Sequence, residues 1–491
     1  MVYRIIKKYW VYLLLTILLY FPLFLFLDYF TIRVWDEARI AINAVSMYEN
    51  KNYLVTYFFN EPEMWNLKPP LLIWLQNICF YFTGINELGI RLPCAIAAFL
   101  TCFILFIFLR FPRGNYLPGF LSAMILVSIR GYVAEHGTRS GDYDALLTLF
   151  TTSYCFTFFL YCSTGKTKYI FLSCVLITMA CMTKSVAGLT LIPGLFLFAI
   201  ISGKLKDIFK TKALYFGVLF FVSIITAYYL LRNHYNPGYL NAVLNDDLFM
   251  LSSSTTDHNE TWNFYFRELI YGHRFNFWIW FLPLGIFSLY FQKDPVIRRI
   301  NLYAIIISVT FLLVISIPKY KCSWYVLPAY PWLAMITGIG IYTFLELLVY
   351  RIRIVQWKQH VFLLGIILLL FYPYRAVLLS VTHRQDDLSP GSSYHLSYYL
   401  RDNLNNAGML NDYVFLFGGY DCHTYFYLHM LNRTGSNVSI ANGYLQIADN
   451  TKIFVYDDKV KEFIKLNYEY SLDNSIQNID FITLIKWRPK S

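Results

Sequence analysis

The chain has 491 residues, of which 57% are hydrophobic and only 14% charged. A soluble domain carries roughly a quarter charged residues, so this composition excludes a soluble enzyme, a disulfide-built scaffold and a disordered chain. The 41 lysines and arginines exceed the 30 acids by 11, which in a membrane protein reflects basic cytoplasmic loops rather than nucleic-acid binding.

A spanning helix needs about 20 mostly apolar residues. In chain order, eleven stretches qualify, near 9–30, 92–109, 116–134, 145–162, 169–183, 186–202, 213–231, 275–291, 300–317, 324–350 and 361–379. The sequence therefore predicts an α-helical polytopic membrane protein of about eleven spans, with 13 as the upper bound. The run 71–83 (LLIWLQNICFYFT) is too short to cross and reads as a helix lying at the interface. Seven of the nine cysteines lie in apolar stretches, where they read as small buried hydrophobes, and no CxxC or Cys/His zinc spacing occurs.

Every second short loop is basic, as in Arg110 with Arg113, Lys166 with Lys168, and Lys293 with Arg298 and Arg299. The positive-inside rule then puts the amino terminus in the cytoplasm and the carboxyl terminus outside. Long loops at 31–91 and 232–274 fall on the outer side. After residue 380 the hydropathy drops. Strand-like runs (Val414 to Phe417, Ile453 to Tyr456, Phe481 to Ile485) alternate there with helix-compatible stretches such as 457–467. Residues 1–380 are thus expected to form a transmembrane domain and 381–491 a small α/β domain outside it.

Ionisable residues at a membrane boundary are costly and mark function by default. Trp35-Asp36-Glu37-Ala38-Arg39 follows the first span with two adjacent carboxylates and an arginine. In Lys68-Pro69-Pro70, the prolines can begin a helix but not continue one, which fixes Lys68 at headgroup depth. Arg139-Ser140-Gly141-Asp142-Tyr143-Asp144 runs directly into an apolar span, whose positive end favours a carboxylate. Taken singly, each acidic group also fits an ordinary helix cap. Lys184, Lys319 and Lys321 face outward against the charge bias and call for an anionic partner, most naturally a lipid phosphate. Acids and bases from distant segments thus all emerge on one side, at a site open to the outer leaflet.

The Asp36-Glu37-Ala38-Arg39 group, the KPPLLIWL run at 68–75, Arg91-Leu92-Pro93, RSGDYDALLTLF at 139–150, Thr183-Lys184 and WYVLPAYPWLA at 324–334 resemble the polytopic GT-C glycosyltransferases. More narrowly, they resemble the branch of lipid A aminoarabinose transferases and bacterial relatives of protein mannosyltransferases. The resemblance implies a polyprenyl-phosphate-linked sugar donor and transfer with inversion to a lipid, glycan or protein acceptor. Transfer would occur on the periplasmic side of a bacterial inner membrane. It implies catalytic roles for Asp36, Glu37 and Asp144, with Asp142 as the alternative second acid. Lys68, Arg39, Lys184, Lys321 and Arg139 would surround the donor phosphate. Some family members use a divalent metal near these acids, helped by a histidine of the second outer loop; here His258 and His273 are the candidates. This chain departs from the commonest pattern in having Ala38 where proline often follows the acidic pair. A lipid-linked sugar flippase is the rival reading, but it would carry charges near midplane. The spans 92–109 and 361–379 each lack charge over most or all of their length.

Overall fold

The computed structural model describes all residues except 1, 111–113, 134–135, 246–258, 273, 352–355, 384–391, 407–409 and 489–491. The chain divides into two compact units, one of residues 1–27 with 44–382 and the other of residues 28–43 with 383–491.

The first unit is helical. Among the described residues, seven helices are long and apolar enough to cross a membrane: Glu87–Arg110, Tyr143–Thr164, Thr167–Leu189, Lys212–Tyr235, Pro295–Ser316, Ser323–Leu348 and Leu364–Thr382. Each overlaps most of one of the expected spans. The other four expected spans coincide with shorter apolar helices at Tyr9–Phe24, Leu117–Val127, Ile192–Ile201 and Phe277–Phe291. Their shortness has local causes. The run at 186–202 begins as a 3-10 turn, Ser185–Leu189, behind Ser185 in the left-handed region. The run at 116–134 stops at Ser128 and resumes as the single turn Arg130–Val133. The helix Leu71–Thr83 starts behind Pro70, as its two prolines dictate.

Close helix contact in lipid relies on small residues. A methyl group on Gly285 would lie 2.1 Å from the Ile336 side chain, so glycine is what lets Leu282–Phe291 lie against Tyr330–Arg351. The polar loop after Asn50 forms a two-strand ribbon, β1 (Tyr57–Phe58) with β2 (Glu61–Pro62). Arg232, fully buried at the end of Lys212–Tyr235, ties this loop down. Its guanidinium donates to the carbonyls of Leu54 (3.1 Å) and Glu63 (3.1 Å) and to the Thr56 hydroxyl (3.0 Å).

The second unit carries a five-stranded sheet of order β4-β3-β5-β7-β6. Its strands are β3 (Tyr413–Phe417), β4 (Val438–Asn442), β5 (Lys452–Val455), β6 (Tyr468–Ile476) and β7 (Ile479–Trp487). β3 runs parallel to both β4 and β5, and the helix Cys422–Arg433 crosses over between β3 and β4. β7 pairs antiparallel with β5 and β6. The β6–β7 hairpin turns through Gln477 and Asn478, both at positive φ, as a tight two-residue turn requires. Leu416, Ile453, Val455, Val460, Ile464 and Leu484 form a core between the sheet and the helix Asp458–Asn467. The three strand-like runs expected from the sequence correspond to β3, β5 and β7.

Candidate active site

In the helical unit the site is built around the start of Tyr143–Thr164. A Cβ on Gly141 would meet the Ile90 side chain at 2.4 Å, so only glycine lets the chain approach the helix Glu87–Arg110 here. Gln76 donates to the carbonyls of Ile90 (3.0 Å) and Gly141 (3.4 Å), and the Cys94 thiol donates to the Asp142 carbonyl. Asp142 is thus locked in the extended N-cap conformation, its carboxylate accepting from the Tyr143 N–H at 2.6 Å. Its other oxygen lies 2.9 Å from Nδ1 of His136. The His136 ring stacks on Trp324 at 4.0 Å and 11°, and its backbone holds a left-handed φ of 55°. Burial raises the affinity of the Asp142 carboxyl for its proton, but four effects outweigh it. The bond and charge of His136, the Lys184 charge and the Tyr143 N–H hold it below the usual carboxylate range.

Two residues on, Asp144 is 2% exposed and sits in the first helical turn, where the helix end favours a negative charge. Lys184, last residue of the helix Thr167–Lys184, places Nζ 2.7 Å from both Asp144 oxygens. The same ammonium lies 4.9 Å from the ring centre of Tyr325. Lys68 approaches from another direction, its Nζ 5.8 Å from the Tyr143 ring centre, near the outer limit for a cation–π contact. The loop before it is anchored by Asn66, which donates to the Tyr143 hydroxyl at 2.9 Å, and by the Tyr239 hydroxyl, which donates to the Leu67 carbonyl at 2.6 Å. Tyr143 therefore links the loop of Lys68 to both aspartates.

The remaining cations of this unit have different surroundings. Arg139 donates to the carbonyls of Pro22 (3.0 Å), Leu25 (2.7 Å) and Phe26 (2.9 Å), closing the end of the first helix. Lys321 is 3% exposed and donates to the Glu260 carbonyl at 3.0 Å and to that of Pro318. Burial lowers the basicity of its ammonium and the Glu260 charge partly restores it. His258 and His273 lie outside the described residues.

Asp36, Glu37 and Arg39 belong to the second unit. The helix Asp36–Asn50 begins at Asp36. Glu37 is 2% exposed and accepts from the Arg33 N–H at 2.8 Å, which turns the chain into the helix. Trp35 stacks on Tyr420 with ring centres 4.5 Å apart. Sequence reasoning passed over His136, Trp324, Tyr325 and Tyr143 as side chains. Of these only His136 carried a usable signal: a histidine six residues before Asp142 in the same outward segment.

The comparisons agree with this architecture. Residues 67–230, which contain Lys68, Asp142, Asp144 and Lys184, match the family model described as dolichyl-phosphate-mannose-protein mannosyltransferase. The crystal structure of ArnT from Cupriavidus metallidurans bound to undecaprenyl phosphate superposes with a TM-score of 0.70 at 13% identity, covering 97% of each chain. An Archaeoglobus fulgidus oligosaccharyltransferase tethered to an acceptor peptide superposes with a TM-score of 0.55 at 12% identity, over 95% of this chain and 69% of that one. An uncharacterised protein of Aquifex aeolicus (strain VF5) is 24% identical over 337 residues; the match spans 68% of this chain and 63% of that relative's length. The fold is that of the polytopic GT-C glycosyltransferases. The chain is a multi-pass membrane protein whose fold is similar to that of ArnT.

Proposed function

We propose that this protein is an inverting glycosyltransferase. It moves a sugar from a polyprenyl-phosphate donor to a lipid, glycan or protein acceptor on the outer side of a bacterial inner membrane. The observation that carries this reading is the Asp144–Lys184 pair at the mouth of a membrane helix, inside the stretch matched by the mannosyltransferase model. The undecaprenyl phosphate bound by the similar ArnT supports the donor class.

The chemistry follows from the side chains. A sugar phosphate becomes a good leaving group once cations neutralise the charge that grows on it. Lys184 and Lys68 fill that role, and Asp144 keeps the Lys184 ammonium charged and aimed while no phosphate is present. Arg39 is assigned to the same phosphate through the motif it shares with the family. Asp36 is the central carboxylate; it takes the proton of a hydroxyl acceptor during a single displacement, which inverts the anomeric carbon. Asp142 acts through His136, and Glu37 through the Arg33 amide. Arg139 and Lys321 hold backbone carbonyls and position the segments around the site. Asp142 and His136 also offer the carboxylate and imidazole donors that suit a divalent cation, which would add charge neutralisation at the phosphate.

The test is transfer from undecaprenyl-phosphate-linked aminoarabinose or dolichyl-phosphate mannose in proteoliposomes. Wild-type protein is expected to release polyprenyl phosphate and pass the sugar to an acceptor, and Asp36→Asn to abolish this. Undiminished transfer by correctly inserted Asp36→Asn protein would remove Asp36 from the mechanism. Movement of intact donor across the bilayer without bond cleavage would replace the enzyme reading with a transporter.

A further inference from the structure

Four consecutive residues lead into the helix of Asp36, and each is pinned individually. The Ile32 N–H donates to the Tyr427 hydroxyl at 2.9 Å, and both groups are buried. The Arg33 N–H goes to Glu37, and its guanidinium lies 4.6 Å from the ring centre of Tyr394. The Val34 N–H donates to the Tyr394 hydroxyl at 3.3 Å. Trp35 adopts a φ of 73°, uncommon for so bulky a side chain. Its ring is stacked on Tyr420 at an interplanar angle of 12°.

A backbone N–H outside helix or strand needs some partner when buried. Here two of the three are phenols from the C-terminal residues. Tyr394 comes from the helix Tyr394–Asp402, Tyr427 from the helix Cys422–Arg433, and Tyr420 from the loop after β3. Three residues before Ile32, the Tyr29 carbonyl accepts from Arg401 at 2.7 Å. The Tyr420 phenol also lies within electrostatic reach of Arg39. Tyr394, Arg401, Tyr420 and Tyr427 all come from beyond residue 390, 360 to 395 positions from the groups they hold, and none is needed to close the sheet core around Val460 and Ile464.

We infer that Tyr394, Tyr420 and Tyr427 are positioning residues for the reaction: they set the backbone of residues 32–35 and, through it, the placement of the Asp36 carboxylate. The C-terminal α/β unit thereby acts as the template for the catalytic segment, in addition to any acceptor contact it makes. The inference rests on the assignment of Asp36 as the central carboxylate. Placement of a catalytic group within a fraction of an ångström controls rate more than affinity. Losing the template should therefore lower kcat and leave the donor KM in place.

The experiment uses the full-length protein in proteoliposomes, with the two donors named above and amide hydrogen exchange followed by mass spectrometry. In Tyr394→Phe/Tyr427→Phe, which deletes two oxygens and keeps both rings, peptides covering residues 29–36 should exchange roughly tenfold faster, as loss of single hydrogen bonds implies. Peptides from Tyr143–Thr164 should be unchanged. The kcat of that variant should fall about tenfold or more with the donor KM within about twofold. Tyr420→Ala, which removes the stack on Trp35, should likewise lower kcat with the donor KM within about twofold. Unchanged exchange at 29–36, or kcat within about twofold of wild type in the double variant, overturns the inference. So does a loss confined to donor KM. Wild-type protein that turns over neither donor defeats the functional reading instead, and the exchange result then decides the positioning claim by itself.

Discussion

The two units handle buried polar groups in different ways. The helical unit encloses formal charges and matches them side chain to side chain: Asp144 with Lys184, Asp142 with His136. Other buried cations among its described residues, Arg91, Arg139, Arg232 and Lys321, donate to backbone carbonyls. The α/β unit instead uses neutral groups, phenols and a histidine, against backbone amides and hydroxyls. Its ion pairs, such as Lys461–Asp480 and Arg488–Glu469, lie toward the surface. The difference follows from solvent. Lipid offers no water to an unmatched charge, so a functional ion inside the helical unit needs a fixed counter-ion. The α/β unit can leave its ion pairs wet, and beside the few charged groups it buries, Arg33, Glu37 and Asp421, it uses phenols and a histidine.

That contrast breaks first, and most visibly, at Asp144. Asp144→Asn leaves Lys184 without its counter-charge and is expected to cut turnover by roughly 100-fold or more. Unfolding in detergent should show a loss of about 3–5 kcal/mol, the cost typical of orphaning one member of a buried pair. Adding Lys184→Met should restore most of the stability and none of the activity. Recovery of both would mean the pair is only a structural bridge.

In the α/β unit a buried histidine should make stability depend on pH. His423 is buried, and burial, helped by the Arg33 charge and opposed by its bond to Ser393, holds its pKa down at about 4. The folded state therefore favours neutral His423. Its contribution is fully present above the unfolded value of about 6.5 and is lost as pH falls toward 4, amounting to roughly 3 kcal/mol at the acid end. Asp421, whose carboxyl burial raises, works in the opposite direction. Amide exchange of β3 and the helix Cys422–Arg433 should accelerate between pH 7 and 4.5, and His423→Phe should flatten that dependence. Identical pH profiles for the two proteins would remove His423 as the cause.

Arg139 separates a phosphate ligand from a helix clamp. Arg139→Gln should lower stability by roughly 1.5–3 kcal/mol, as for lost charge-assisted hydrogen bonds, with a modest change in donor KM. A large KM increase at unchanged stability would return Arg139 to the phosphate. The smallest effect is expected at Lys461. Lys461→Ala removes a surface contact and should shift stability by no more than about 1 kcal/mol, measured by chemical denaturation.

The helical unit was readable because hydropathy needs only local runs. Each of the eleven stretches became a helix, and the errors lie at breakers whose effect depends on context. Pro93 sits inside Glu87–Arg110 without ending it, and the buried Arg91 is tolerated there because it donates to the Leu27 carbonyl. Ser185, by contrast, ends its helix through a backbone angle that no composition announces. In the α/β unit β3, β5 and β7 stood out as apolar runs. The edge strands β4 and β6 did not, because their exposed faces are polar (Ser439, Asn442, Ser471, Asp473). At the site, the residue types were legible from their motifs. The pairing was not: Asp144 and Lys184 are joined only by the fold, across 40 positions. The tyrosines that hold residues 32–35 carried no signal at all among 42 of their kind.

Residues 28–43 and 383–491 form one unit although the intervening 44–382 build another. For a ribosome this is a matter of timing. The segment bearing Asp36 leaves the exit tunnel early, and its seat is translated last. At roughly 5–20 residues per second, the roughly 340 residues in between take on the order of 20–70 s. Nascent chains therefore insert their helices while the Asp36 segment still waits for its seat. A ribosome that stalls before residue 383 leaves behind inserted helices and a 28–43 segment without the residues it packs with.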